Sequence, residues 1–207
     1  AANTSPGVPG PEPVRVTEPE AIGRGAVLLT GRDDVIVASV GTGTAFVHAK
    51  EGVFTHLCGT GVGAGTLTGL AQKVLGISDM KAFDELAMRG NTNRVDLTIG
   101  DFVEMHGQLA ADLTSSNLAR LNPDATDADW AAGLCTLVYQ VIGTMSLIAL
   151  QGRGAKAVVI TGAVAETGPS RANFKRFVDG YGIDYLIPGH SAFATAIGAA
   201  LAAGEAG

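Results

Sequence analysis

Cysteine is scarce: Cys58 and Cys135 are the only two in 207 residues. Two thiols so placed match no zinc-ligand spacing and build no disulfide framework. Cys135 falls in an apolar helical stretch and reads as a small core residue. Basic residues are also few, 14 Lys and Arg against 20 Asp and Glu, for a net charge of −6 and a pI near 5.1. A nucleic-acid partner calls for a basic face and is therefore not expected. No apolar run approaches the roughly 18–20 residues of a membrane span, so no membrane partner is expected. No basic segment leads into an apolar stretch as a secretory signal does. The four histidines, His48, His56, His106 and His190, show no metal-ligand spacing. No repeat with a period of 20–50 residues is visible. A reducing cytoplasm is the setting this composition leads us to expect.

What remains is enough for a substantial core. Apolar residues make up 46% and charged residues 16%, as in one large domain or two small ones. The segment AANTSPGVPGPEPVR, residues 1–15, is rich in proline and small side chains and reads as a loop or tail. One domain over residues 16–207 follows it. The chain begins without a Met, and we expect its N-terminus to be a cut rather than a natural start.

Two glycine/threonine loops stand out. Val40-Gly41-Thr42-Gly43-Thr44 closes the apolar run Val35–Val40, and Gly59-Thr60-Gly61-Val62-Gly63-Ala64-Gly65-Thr66 opens a helical pattern. A strand ending in such a turn offers backbone N–H groups and hydroxyls to an anion, and a glycine run ahead of a helix lets a phosphorylated ligand touch main chain. Glycine accounts for 29 residues, and either loop alone is more often a tight turn. Neither matches the Walker or GxGxxG pattern. As a pair they point to a nucleotide held between them.

Periodicity places helices over 18–29, 66–76, 79–89, 127–150, 171–180 and 192–203. Strands are expected over 35–40, 45–49, 53–57, 157–160 and 185–188. The first three strands form a meander. The alternation in the second half implies a parallel sheet with helices on its faces. In the long helix Trp130, Leu134, Val138, Val141, Ile142, Met145 and Ile148 are expected to face inward. Thr161-Gly162-Ala163 ends an apolar strand, either as a ligand seat at the carboxyl end of a sheet or as an ordinary turn. Glu18 and Glu20 open the first helix. Each serves as a cap in the favourable field of a helix N-terminus, unless it lies beside Thr42, where a carboxylate could accept a proton during phosphoryl transfer. Asp96, Asp101 and Asp112 read as solvated or capping carboxylates.

Together these residues resemble the type II pantothenate kinases, the "fumble" family of the actin-like and sugar-kinase superfamily. Glu18-Pro19-Glu20 with Gly25 is similar to the family's E-x-D-x-x-x-x-G segment, Val40–Thr44 to its second phosphate loop, and Gly59–Thr66 to its glycine-rich nucleotide loop. Leu86-Ala87 with Gly90-Asn91 and Val95-Asp96 is similar to A-x-x-G-D-x-x-x-V-D. Gly162 falls at the adenosine motif, and Ala192-Phe193-Ala194 with Ala196–Ala199 is similar to the closing F-x-A-I-G-A helix. The resemblance runs from about Pro13 to Ala203. It implies an actin-like ATPase (ribonuclease H-like) α/β fold, a mixed sheet flanked by helices. It implies a kinase using ATP and Mg²⁺ to phosphorylate pantothenate, with Glu18 as general base and Thr42 and His56 at the substrate. Gly41, Gly43, Thr44, Gly61, Gly63, Gly65, Thr66 and Gly162 would then hold ATP.

The family's first phosphate loop, which helps to place Mg²⁺, has no counterpart here, so the N-terminal subdomain is expected to be incomplete. His56 stands where the family has an Arg, and an imidazole lacks the permanent charge and the planar fork of a guanidinium. Asn91 replaces the usual acid. Two other readings stay open: a non-catalytic nucleotide- or acyl-CoA-binding relative, and an enzyme of another branch of the superfamily, such as a sugar kinase or a dehydratase-activating ATPase, for which Cys58 beside the glycine loop keeps a place. A homodimer through the apolar helix 127–150 is also expected.

Overall fold

The computed structural model describes residues 14–102 and 111–205. Of the expected tail only Val14 and Arg15 fall within that range, ahead of the first helix, and His106 lies outside the described residues. Helix α1, Glu18–Thr30, starts because Thr17 caps it: its hydroxyl accepts from the Glu20 amide at 3.4 Å, Pro19 occupies the first turn, and Gly31 ends it in the left-handed region at φ 66°. Strands β1 (Asp34–Val40), β2 (Thr44–Lys50) and β3 (Val53–Thr60) then form the antiparallel meander. Helices α2 (Ala64–Leu75) and α3 (Met80–Ala87) follow, then a small lobe built on β4 (Leu97–Thr98) and β5 (Thr114–Ser116). The chain closes with α4 (Asp127–Arg153), β6 (Ala157–Thr161), α5 (Gly168–Tyr181), β7 (Tyr185–Leu186) and α6 (Ala194–Glu205).

The meander and the parallel strands belong to one sheet, in the order β3-β2-β1-β6-β7. β6 runs parallel to β1 and β7 parallel to β6, so the sheet is mixed and β1 is its centre. Both faces of β1 are buried over most of its length, which explains an apolar run broken only by Ser39. Ile36, Ala38 and Val40 face Leu134, Val138 and Ile142 of α4. Val35 and Val37 face Ile22 and Ala26 of α1. At the far end of the hairpin, Asp34 takes the imidazole of His48 at 3.0 Å and the ammonium of Lys50 at 3.2 Å. These partners, His48 first, hold its carboxyl below the usual carboxylate range.

α6 lies directly on α1. A Cβ at Gly198 would overlap the Ala21 carbonyl oxygen, and one at Gly25 the Ala194 carbonyl oxygen, so the glycines that weaken α1 as an isolated helix permit this close crossing. The expectation that no run approaches membrane-span length is corrected by α4, which at mean hydropathy 1.7 is long and apolar enough to cross a membrane by length and composition, although most of its apolar stretch, 61%, is buried within the fold. Leu134, Val138 and Ile142 do face inward; Ile148, expected with them, is 64% exposed. One sheet and its neighbouring helices cannot cover every apolar face of a helix this long.

The small lobe corrects the reading of Asp96. Its side chain is fully buried and accepts from the Leu118 amide (2.8 Å), the Thr114 hydroxyl (2.9 Å) and Asn117 Nδ2 (3.5 Å). A solvated or capping acid was expected; a buried hub is found, and burial raises its pKa in spite of these donors. Asp101 does cap: it accepts from Thr98 N at 2.6 Å and Thr98 Oγ1 at 2.9 Å, and pairs with Arg120.

Candidate active site

β1 ends at Val40, turns through residues 41–43 and re-enters the sheet as β2. β3 returns to the same end and hands over to α2. The N-terminus of α1 lies at that end too. The result is a cleft of about 490 Å³ lined by Glu18, Ser39, the turn from Gly41 to Ala45, and Gly59 to Gly61. The sequence left the position of Glu18 relative to Thr42 undetermined; the fold brings both into this one cleft.

The two glycine loops are bonded to each other. Ala64 N donates to the Gly41 carbonyl at 2.8 Å and Gly65 N to the Thr42 carbonyl at 3.0 Å, so these first amides of α2 hold the turn. The Thr44 hydroxyl donates to Val62 O at 2.8 Å. The Thr66 hydroxyl donates to Gly61 O at 2.9 Å and accepts from Gly63 N at 3.3 Å. A Cβ at Gly63 would stand 2.6 Å from the Gly43 carbonyl oxygen, and one at Gly65 2.6 Å from Thr42 Cγ2. Gly63, Gly65 and Thr66 therefore form the back of the cradle, away from the residues that line it. Gly41 and Gly61 line the cleft itself and have space where a side chain would point. Backbone can be approached closely there.

Gly162 sits beneath the turn. Its φ of 109° belongs to the region that favours glycine, and a Cβ there would overlap the Val40 carbonyl oxygen. Its amide donates to Ser191 O at 2.9 Å, while Ser191 N donates to Glu166 Oε1 at 2.7 Å. These two bonds tie the loop after β6 to the start of the closing helix. Thr161, one residue earlier, pairs with Ser39 across β1 and β6, and its buried hydroxyl has no partner among the described residues. Ser39 and Thr60 line the cleft and were missed as site residues. The signal for Ser39 was a lone hydroxyl inside the apolar run Val35–Val40.

Glu18 and Glu20 separate in role. A step of two residues turns a helix by about 200°. Glu20 accepts from Arg24 Nε at 2.9 Å, and the same guanidinium reaches Glu205 at 2.7 Å and lies over the Phe54 ring at 5.7 Å. Glu20 thus belongs to the clamp that holds α1 to α6 and β3, and Glu18 to the cleft. His56 is not part of the cleft lining. It is exposed on the edge strand β3 opposite Val47, whose side chain packs on the α1 side of the sheet. Among the described residues no group of three or more His, Cys, Asp or Glu comes together to hold a metal.

A mixed five-stranded sheet, with its two glycine-rich turns gathered at one end, has the architecture of the actin-like ATPase fold. The crystal structure of component A of the Acidaminococcus fermentans (R)-2-hydroxyglutaryl-CoA dehydratase matches at TM-score 0.62 with 20% identity, over 92% of this chain and 69% of that one. The activator of the 2-hydroxyisocaproyl-CoA dehydratase from Clostridium difficile, solved with bound ADPNP, matches at TM-score 0.62 with 17% identity, over 92% and 67%. At such identities the likeness establishes the fold. The family follows from sequence: the model of the Fumble family matches residues 34–202, and the chain belongs to that family. The type II pantothenate kinase of Staphylococcus saprophyticus subsp. saprophyticus is 32% identical over 136 residues, 63% of this chain and 51% of that protein. The chain thus spans about half the length of that relative.

Proposed function

We propose that this chain carries the nucleotide and acceptor sites of an ATP-dependent kinase that phosphorylates the hydroxyl of pantothenate, the first step of coenzyme A biosynthesis. The observation that carries the reading is the placement of Glu18 in the cleft of the Gly41–Thr44 turn. In the reaction the pantothenate hydroxyl oxygen forms a bond to the γ-phosphorus of ATP, the bond from that phosphorus to the ADP oxygen breaks, and the hydroxyl proton passes to the Glu18 carboxylate. Gly41, Gly43 and Gly61 let phosphate oxygens approach main chain. Thr42 orients the acceptor. Thr44, Gly63, Gly65 and Thr66 keep the two loops in register, and Gly162 supports the adenosine side. Mg²⁺ enters with the ATP phosphates, as is usual for a cation that keeps much of its water and takes few protein ligands. Membership of the Fumble family and the likeness to the S. saprophyticus enzyme support this assignment. Two free cysteines agree with a reducing, cytoplasmic setting.

A second reading, a nucleotide- or acyl-CoA-binding relative without catalysis, draws on His56, which stands outside the cleft in place of the family's Arg. Incubation with Mg-ATP and pantothenate, with ADP and phosphorylated pantothenate quantified, separates the two. Transfer that depends on both substrates is the expected result. Nucleotide binding by calorimetry without transfer would favour the second reading, and no binding of ATP, ADP or CoA would remove both.

A further inference from the structure

A second hollow shares no residue with the glycine-loop cleft. Two adjoining cavities of about 100 and 130 Å³ open between α4, α5 and the small lobe, and Thr136, Asn173 and Arg176 wall both of them. Thr136 is 4% exposed, and its hydroxyl has no hydrogen-bond partner among the described residues. A hydroxyl inside a helix ordinarily donates to the carbonyl four residues back. Ser146, on the same helix, does so to Ile142 at 2.8 Å. Thr136 does not, and a buried polar group left unpaired on the wall of two cavities calls for a partner inside them.

The neighbouring chemistry says what that partner is. Arg176 brings a cation to both cavities, is itself exposed, and makes no hydrogen bond or ion pair with another described residue. Asn173 spends its Nδ2 on the Pro169 carbonyl at 2.9 Å and keeps its amide oxygen as an acceptor. No described carboxylate lines either cavity. Asp96, which feels the charge of Arg176, has its oxygens held by Thr114, Asn117 and Leu118. The smaller opening adds an apolar side, Ile99, Leu113 and Phe177, beside the polar Thr114, Gln140, Thr144 and Tyr181; of these, Thr114 and Gln140 already bond within the lobe.

We propose that these cavities form a binding site for a small monocarboxylate with an apolar body. Its carboxylate pairs with Arg176 and accepts the Thr136 hydroxyl, and its hydrocarbon lies against Ile99, Leu113 and Phe177. A cavity of about 150 Å³ holds benzene, which sets the ligand here at roughly four to five carbons. The site stands whether or not the glycine-loop cleft transfers phosphate.

The test follows the Tm of the chain while butyrate, isovalerate or their neutral amides are added at constant ionic strength. Both carboxylates should raise Tm saturably, and the amides should not. Arg176→Gln should weaken the apparent affinity about tenfold or more, the usual loss of a charge-assisted hydrogen bond. Thr136→Val, which replaces the unpaired hydroxyl by a methyl of the same shape, should leave the unliganded Tm unchanged or higher while weakening carboxylate binding several-fold. The proposal is overturned by the absence of a saturable rise, by an equal rise with the amides, or by an undiminished response in Arg176→Gln. A lowered unliganded Tm in Thr136→Val would contradict it as well, since the hydroxyl would then already have a partner.

Discussion

At the scale of single residues, the two aspartates of the small lobe act in opposite directions. Arg120, with the amide and hydroxyl of Thr98, holds the Asp101 carboxyl down to about 2 from the ordinary 3.8. Its folded pKa lies below its unfolded one, so its contribution to stability is full above about pH 4 and is lost as pH falls toward 2. Asp96 has its pKa raised by burial. Its effect has the other sign: the stability it allows at low pH declines as pH rises through its folded pKa. Urea unfolding of Asp101→Asn against wild type should therefore show the two midpoints closest near pH 2 and furthest apart by about pH 5. A gap independent of pH would contradict the assignment of that titration to Asp101. The sequence left Asp101 as solvated or capping, and the capping alternative is the one found. Nothing in it marked Asp96 as buried, because the donors from residues 114, 117 and 118 reach it only once the lobe has folded.

At the scale of elements, the strands were largely legible because their apolar runs are short, β-rich and bounded by glycine or charge. The boundaries were less so. α5 begins at Gly168, three residues before the expected Arg171, since Thr167 caps it and Pro169 fills its first turn. That signal was present in Thr167-Gly168-Pro169 and was passed over. The role of the glycines in α1 could not be read locally, because it depends on α6, which arrives more than 160 residues later. Gly198→Val tests that crossing. Its side chain would overlap the Ala21 carbonyl, and overpacking of this kind costs about 1–3 kcal/mol. Gly204→Val, on the same helix with open space around it, should cost far less. Calorimetric unfolding of both variants compares them, and equal losses would mean that helix propensity, not the α1–α6 contact, sets the cost. The site was legible in parts for the same reason. Loop chemistry pointed to Gly41–Thr44 and Gly59–Thr66, but the bonding of the loops to each other is a tertiary fact.

At the scale of the whole molecule, an apolar face of α4 remains uncovered. Ile148, 64% exposed, borders a hollow of about 280 Å³ with Leu57, Met145 and Ala149. We propose that a second copy of the chain covers it in a homodimer, as the family resemblance implied. Light scattering at micromolar concentration should give twice the monomer mass, and Ile148→Glu should give the monomer with its far-UV spectrum intact, since a charge in an apolar interface is costly and at a free surface is not. A wild-type monomer would contradict the proposal.

The central claim is that Glu18, and not its neighbour Glu20, takes the proton of the acceptor hydroxyl in the glycine-loop cleft. The most direct measurement is the rate of ATP-dependent phosphorylation of pantothenate by Glu18→Gln and Glu20→Gln side by side, with a melting curve for each. The account predicts a fall of roughly 10²–10⁴-fold for Glu18→Gln at unchanged ATP affinity. For Glu20→Gln it predicts a small loss of stability and nearly full turnover. Undiminished turnover in Glu18→Gln, or equal loss in both variants with both still folded, would contradict it.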